Sequence, residues 1–174
     1  MQRTAAWLAL AATCCAAAGC AHVPAKDESP IDYYQPLRLE RADAPAPARF
    51  DPARLYGRPA LVTFFATWCF PCLGQLPLFA ELKKEHAADG LEVVAVGMDL
   101  DGRRVLEPFA AQAGLGFPVL IASEALVKGE TPYGRVRELP TTVLFARDGS
   151  VVAAWPGLAD AADLRAAVDE AVKR

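Results

Sequence analysis

The sequence contains little that would serve a metal centre or a nucleic-acid interface. Only two histidines, His22 and His86, occur in its 174 residues, and they lie far apart in the chain. A tetrahedral zinc site needs four clustered ligands, and the sequence has no second Cys-x-x-Cys motif or histidine pair to complete one. The formal net charge of −3 offers no attraction for a polyanion. We therefore expect no metal, no cofactor and no nucleic-acid partner.

Cysteine is scarce outside the N-terminus. The chain has five cysteines; Cys14, Cys15 and Cys20 lie in the first twenty residues, and only Cys69 and Cys72 lie beyond them. Two cysteines cannot form a framework of several disulfides, so that class of small secreted protein is excluded. A permanent Cys69–Cys72 staple would stabilise the fold very little, because the loop that it closes is so short. This favours a redox-active pair.

No apolar run reaches the length of about 20 residues that a transmembrane helix requires. The N-terminus has a short positive start, an apolar run over residues 5–18, and then Gly19-Cys20. This pattern resembles a bacterial lipoprotein signal, in which cleavage leaves a lipidated Cys20 as the first residue. We interpret residues 1–20 as this signal segment and expect a periplasmic, membrane-anchored protein. A soluble secreted protein and an uncleaved N-terminal anchor are the alternatives.

Residues 21–48 are rich in proline and alanine and are interpreted as a flexible linker, which leaves residues 49–174 for the domain. Within the linker, Leu37-Arg38-Leu39 alternates as a short edge strand would. Asp51-Pro52 predicts a capped helical turn that ends at Gly57.

The domain alternates predicted strands and helices. Strands are expected at residues 60–66, 91–96, 117–121, 139–145 and 151–155, and helices at 70–88 and 103–113. Residues 123–134 read as a loop or a broken helix. Asp148-Gly149 predicts a hairpin, and Asp160 predicts the cap of a final helix. The fold class is therefore α/β, with a mixed central sheet flanked by helices.

The stretch Trp68-Cys69-Phe70-Pro71-Cys72 joins the first strand to the first helix. Unpaired N–H groups and the partial positive charge at a helix N-terminus favour a thiolate there. The spacing places the second sulfur about one turn along the helix, where it can close a disulfide ring. We predict that Cys69 is an exposed nucleophile and that Cys72 is the more buried, resolving cysteine.

Over residues 50–174 the chain resembles the TlpA/ResA (DsbE-like) family of thiol–disulfide oxidoreductases. The resemblance rests on the Trp68–Cys72 stretch, Pro77, Leu139-Pro140-Thr141-Thr142 and Gly157. The resemblance implies a thioredoxin fold in which Pro140 is cis and faces the dithiol. It also implies an exported reductase of protein disulfides, supplied with electrons by a membrane donor. Apocytochrome c, other exported proteins with cysteine pairs and small disulfides are the substrates considered, and we expect a monomer. The implied substrate contacts are Trp68, Phe70, Pro71, Leu139, Pro140 and Thr141.

Two positions depart from related proteins. Thioredoxins carry a buried aspartate where Thr63 stands, and many ResA relatives carry a glutamate where Gln75 stands. Those carboxylates are thought to handle the proton of the resolving cysteine, and neither an amide nor a hydroxyl replaces them as a titrating group near neutral pH. Proton transfer is then left to water, or to an acid in the inserted loop such as Glu124 or Glu130.

Other functions on this fold are less well supported by the sequence. A copper metallochaperone typically uses a wider cysteine spacing and a distant histidine, and no histidine follows His86. A binding module without redox activity would have no need of Cys69 and Cys72. A peroxidase would place its cysteine alone. Because neither Phe70 nor Pro71 is cationic, we expect a reducing couple instead of a strongly oxidising one.

Overall fold

The protein folds around a five-stranded mixed sheet. The computed structural model describes residues 31–174, so the predicted signal segment and Cys20 lie outside the described residues. The sheet has the order β3-β2-β1-β4-β5, with β1, β2 and β3 parallel and β4 antiparallel to both of its neighbours. The strands are β1 (Ala60–Phe65), β2 (Glu92–Gly97), β3 (Val119–Ile121), β4 (Thr141–Phe145) and β5 (Val151–Pro156). The predicted mixed sheet is confirmed.

Four α-helices connect or follow the strands. They are α1 (Phe70–Glu85), α2 (Arg103–Ala113), α3 (Glu124–Lys128) and α4 (Ala161–Ala171). The carboxylate of Asp160 accepts hydrogen bonds from the backbone N–H groups of Ala162 and Asp163, which confirms it as the cap of α4. Within residues 31–174, none of the helices combines the length and the apolar character needed to cross a membrane.

The helices lie on both faces of the sheet. Residues of β1 alternate between the faces, so that Leu61 and Phe65 belong to one core cluster, and Val62 and Phe64 belong to the other. The first cluster includes the two cysteines and the apolar faces of α1, α2 and α4. The second is covered by α3 and by two 3₁₀ turns, Gln35–Leu37 and Pro52–Arg54.

The region expected to be a flexible linker packs against the domain from Ile31 onward. Tyr34, Leu37 and Leu39 are buried in the second core cluster, so the expected domain boundary at residue 49 is too late. The predicted edge strand at residues 37–39 is also wrong, because Leu37 ends a 3₁₀ turn that begins with Gln35 and Pro36. Proline fixes its own φ and lacks an N–H group, which suits a tight turn better than a strand.

Residues 40–42, which we call the edge segment, lie against β3. The N–H of Ala42 donates to the carbonyl of Val119 at 2.7 Å, and the N–H of Ile121 donates to the carbonyl of Glu40 at 2.9 Å. The guanidinium of Arg103 donates to the Glu40 carboxylate at 2.7 Å and 3.0 Å, and to the Arg41 carbonyl at 2.7 Å. Contacts between residues so far apart in the sequence cannot be recognised from local composition. The proline- and alanine-rich composition therefore predicted a flexible linker where the chain is packed.

Glu92, at the start of β2, is a nearly buried carboxylate that meets three cations. Its oxygens lie 2.9 Å from Lys83 Nζ, 3.0 Å from Arg58 Nη1 and 4.0 Å from Arg54 Nη2. We expect Glu92→Gln to lower the free energy of unfolding by about 1–2 kcal/mol, because charge-assisted bonds are lost while the half-exposed arginines regain water. Urea denaturation measures this. Glu124→Gln, on an exposed surface, should change stability by less than about 0.5 kcal/mol, and equal effects of the two changes would contradict the assignment.

Candidate active site

The two cysteines are joined by a disulfide at the N-terminus of α1. The S–S bond links Cys69, the N-cap residue, to Cys72 in the first turn, and their Cα atoms lie 5.2 Å apart. The backbone N–H of Cys72 donates to Cys69 Sγ at 3.3 Å. Pro71 occupies the first turn, where its missing N–H costs no helix hydrogen bond. The predicted pairing is confirmed, and a developing Cys69 thiolate would keep this backbone donor.

The cysteines are less accessible than expected. Cys69 is 6% exposed and Cys72 is 1% exposed, so the prediction of an exposed Cys69 is wrong in degree, although the order of the two is as predicted. The neighbouring side chains are the exposed ones, with Trp68 at 68% and Phe70 at 84%. Pro71 is exposed as well. Exposed apolar side chains therefore flank the buried Cys69 on both sides in the sequence.

The Leu139–Pro140 peptide bond is cis, as the resemblance implied. Phe64 pairs with Thr141 in the β1–β4 ladder, so Pro140 lies at the carboxyl end of β1, from which the chain leads to Trp68 and Cys69. Pro140 is buried, whereas Leu139 and Thr141 are half-buried. The structure thus brings the proline and the disulfide to the same end of the sheet, and Leu139, just before the proline, is more accessible than the proline itself.

Asp99 is a residue that the sequence analysis did not identify. Its carboxylate accepts a hydrogen bond from Thr67 Oγ1 at 2.6 Å and from the Thr67 backbone N–H at 3.1 Å. Asp99 follows β2 and Thr67 follows β1, so the contact spans neighbouring parallel strands at the sheet end that carries the disulfide. It fixes the turn before Trp68 and Cys69. The signal in the sequence is an acid shortly after a buried strand, and it is a weak signal as long as the pairing of β1 with β2 is unknown.

Thr63 and Gln75, the two positions that depart from related proteins, are buried beside the site. Thr63 Oγ1 lies 3.1 Å from Thr142 Oγ1, across the β1–β4 ladder, so its hydroxyl has a hydroxyl partner. Gln75 is 4% exposed, and its Nε2 donates to the Ala159 carbonyl at 2.9 Å. The Gln75 Oε1 is buried and has no hydrogen-bond partner among the described residues. Neither group titrates near neutral pH, so neither can accept the Cys72 proton.

The acids considered in the inserted loop are not brought to the cysteines. Glu124 is exposed and pairs with Lys128 at 2.6 Å within α3. The buried residue of α3, Leu126, belongs to the core cluster on the sheet face opposite Cys69 and Cys72. Glu130 follows α3 and is exposed. Within residues 31–174, no group of three histidine, cysteine, aspartate or glutamate side chains is placed to hold a metal ion.

Gln75→Glu should introduce a titrating group one helical turn after Cys72. Burial raises the pKa of a carboxyl group, so the folded state would hold its proton at a higher pH than the unfolded chain. The free energy of unfolding should then fall as pH rises from about 4.3, the ordinary glutamate value, to the raised pKa. We also expect a changed pH profile for the resolving step. Rate and urea profiles identical to those of the unaltered chain would mean that position 75 serves only packing.

A mixed sheet of this order, with a Cys-x-x-Cys disulfide at the start of α1 and a cis-proline beside it, defines a thioredoxin-fold protein with a dithiol centre. The chain belongs to the AhpC/TSA family, whose model matches residues 46–154. It is similar to thiol-disulfide oxidoreductase ResA of Bacillus thuringiensis, with 36% identity over 98 residues, which are 56% of this chain and 54% of the relative. The expected resemblance to the TlpA/ResA type is confirmed.

Solved structures support the same fold. A thioredoxin-family thiol:disulfide interchange protein from Chlorobium tepidum matches with a TM-score of 0.64 and 26% identity, covering 76% of this chain and 90% of its own. A secreted disulfide oxidoreductase of Mycobacterium tuberculosis, homologous to E. coli DsbE, matches with a TM-score of 0.63 and 20% identity, covering 78% and 98%. At 20% identity, that match shows the fold alone. The chain spans about half the length of the curated relatives it matches.

Proposed function

We propose that this protein is an exported thiol–disulfide oxidoreductase that reduces disulfides of other proteins through Cys69 and Cys72. The observation that carries the proposal is the Cys69–Cys72 disulfide at a helix N-terminus, at the same sheet end as the cis Leu139–Pro140 bond. A purely structural role would not explain the pair, because a disulfide that closes so short a loop adds little stability. The similarity to ResA supports the same reaction.

The reaction has two exchange steps. In the reduced protein, the Cys69 thiolate attacks one sulfur of a substrate disulfide, and the other substrate sulfur leaves as a thiolate. Cys72 then gives its proton to water and attacks Cys69 Sγ, which releases the second substrate sulfur and forms the disulfide seen here. The substrate gains two electrons and the protein loses two. A dithiol donor at the membrane would restore the reduced state.

The expected direction is reduction. The helix N-terminus favours the Cys69 thiolate, but Phe70 and Pro71 add no positive charge between the cysteines. His86, the one histidine of the described residues, caps the opposite end of α1. Equilibration with dithiothreitol or glutathione should give a potential well below the value of about −120 mV that marks strong oxidants on this fold. A value near −120 mV would overturn the direction.

The same geometry argues against the alternative functions. A copper metallochaperone would need a third ligand near the cysteines, and the described residues hold no metal-binding group of three. A peroxidase would keep its attacking cysteine free of a neighbour three residues away. A binding module without redox activity would have no need of a cysteine pair at a helix N-terminus beside a cis-proline.

Location and partners belong to the same proposal. Lipidation of Cys20 would hold the domain at the outer face of a membrane, in the periplasm, where disulfides form. The proposed substrates are exported proteins with cysteine pairs, apocytochrome c among them. Trp68 and Phe70 would provide exposed apolar contacts for them. We propose that the working form is a monomer.

Trapping tests the function directly. In Cys72→Ser, the mixed disulfide between Cys69 and a substrate cannot resolve, so covalent adducts should accumulate in cells. Adducts would be separated by non-reducing electrophoresis and identified by mass spectrometry. Cys69→Ser/Cys72→Ser is the matched control and should carry none. Failure of Cys72→Ser to form any adduct, together with failure of the unaltered chain to reduce insulin, would refute the proposal.

A further inference from the structure

Residues 135–139, which we call the pre-proline segment, have backbone N–H groups that are free of backbone partners among residues 31–174. No N–H of this segment donates to a backbone carbonyl within the described part of the chain. The segment lies between α3 and β4 and ends at the cis Leu139–Pro140 bond. A stretch of backbone with free donors is a place where a strand of another chain can add.

A cavity of about 280 Å³ lies beside this segment. Its apolar lining includes Phe64 and Val143 of the sheet and Val136 of the segment itself. These sheet residues belong to the core cluster on the face opposite the disulfide, so the cavity is distinct from the surface around Trp68 and Phe70. The volume lies just below the usual range for ligand pockets, about 300–1,000 Å³. It therefore suits a side chain of a bound peptide better than a cofactor.

The charges at the cavity are unbalanced. Arg135 and Arg137 line it and are exposed, and neither has an ion-pair partner among residues 31–174. Glu138 is the single acid in the lining. This excess of positive charge stands out in a chain whose formal net charge is −3. Arginine pairs well with carboxylates because its planar group can donate two parallel hydrogen bonds.

Tyr133 adds a polar group to the same lining. Its hydroxyl is buried and has no hydrogen-bond partner among the described residues, although the side chain as a whole is partly exposed. Burial raises the pKa of Tyr133 well above its ordinary value, so the hydroxyl stays neutral and keeps its proton.

We infer that the pre-proline segment and its cavity select protein substrates in which an acidic, extended stretch lies next to the reactive cysteine. The inference rests on the proposed function and names the substrate class for it. The substrate stretch would add to the free N–H groups of residues 135–139, insert an apolar side chain between Phe64 and Val143, and place carboxylates at Arg135 and Arg137. Its cysteine would then lie at the sheet end that carries Cys69.

The test compares two peptide disulfides that differ only in whether aspartate or lysine flanks the cysteines. We expect the full chain, reduced beforehand, to react about three- to tenfold faster with the acidic peptide in low salt, and we expect salt to shrink that preference. Arg135→Glu/Arg137→Glu should abolish or invert the preference while the rate with a small uncharged disulfide stays unchanged. Lys173→Glu/Arg174→Glu makes the same charge change at the exposed C-terminus and should keep the preference.

Binding without chemistry separates the two proposals. Acidic and basic peptides with serine in place of cysteine would be titrated against the full chain by calorimetry. Tighter binding of the acidic peptide, weakened only by the change at Arg135 and Arg137, supports the inference. If such binding is found but no disulfide is reduced, the proposed function fails and the inference about binding stands. Equal binding and equal rates for both peptides, or a preference that survives Arg135→Glu/Arg137→Glu, would overturn the inference while leaving the proposed function intact.

Discussion

Cys69→Ser is expected to abolish the reduction of insulin disulfides, with a loss of more than about a thousandfold, since removing a nucleophile in other enzymes costs up to about a millionfold. Serine has no accessible anion near neutral pH and cannot form a mixed disulfide. The substitution should nevertheless fold, because the Cys69 sulfur accepts the Cys72 N–H at the N-cap and serine is a preferred N-cap residue. Insulin turbidity with dithiothreitol measures the rate.

Cys72→Ser is the matched control for this prediction. It keeps the attacking sulfur and removes only the resolving one, so it should form one stable adduct with substrate and then stop. Thermal unfolding of both variants shows whether each is folded. If folded Cys69→Ser still reduced insulin, the assignment of Cys69 as the nucleophile would be refuted.

Gly129→Ala is expected to cost about 2–5 kcal/mol of unfolding free energy, the largest stability effect that we predict for a single methyl group. Gly129 ends α3 with a φ of +78°, a conformation that L-residues adopt at a cost of about 1–2 kcal/mol. A Cβ there would also lie 2.7 Å from the backbone nitrogen of Arg135. Backbone atoms cannot move aside as the end of a flexible side chain can. The whole pre-proline segment would therefore have to shift.

Gly134→Ala separates the two parts of this cost. Gly134 lies in the same loop with a φ of +64°, but a Cβ there would meet nothing within 4 Å. Its substitution should therefore cost only the conformational part, about 1–2 kcal/mol. Urea denaturation of both variants gives the difference, and Gly129→Ala should also weaken the preference for acidic peptides. Equal losses at the two positions would show that the contact with Arg135 is unimportant.

The elements that could be predicted from the sequence are those defined by neighbouring residues. The bounds of α2, the cap at Asp160 and the hairpin at Asp148-Gly149 each depend on a few adjacent side chains. The disulfide is equally local, because a spacing of three residues at a helix start places the two sulfurs together. Short-range chemistry of this kind needs no knowledge of the tertiary fold.

What could not be predicted depends on contacts between distant residues. The packing of residues 31–48 includes the contact of Arg103 with Glu40, 63 positions away. Asp99 joins the site only because β1 and β2 are parallel and end together, which places it on Thr67. The low exposure of Cys69 likewise follows from packing around the helix start and not from the motif. Composition and periodicity carry no information about such pairs.

Covering one border of the sheet has a consequence for how copies of this protein could associate. With the edge segment bound along β3, the outer side of β5 is the remaining border at which the described strands could recruit a further chain. That border ends in Pro156, whose ring offers no donor, and this shortens the length along which intermolecular pairing could spread. Among the described strands, the covering of β3 thus leaves a single, partly blocked side at which fibril-type growth could begin.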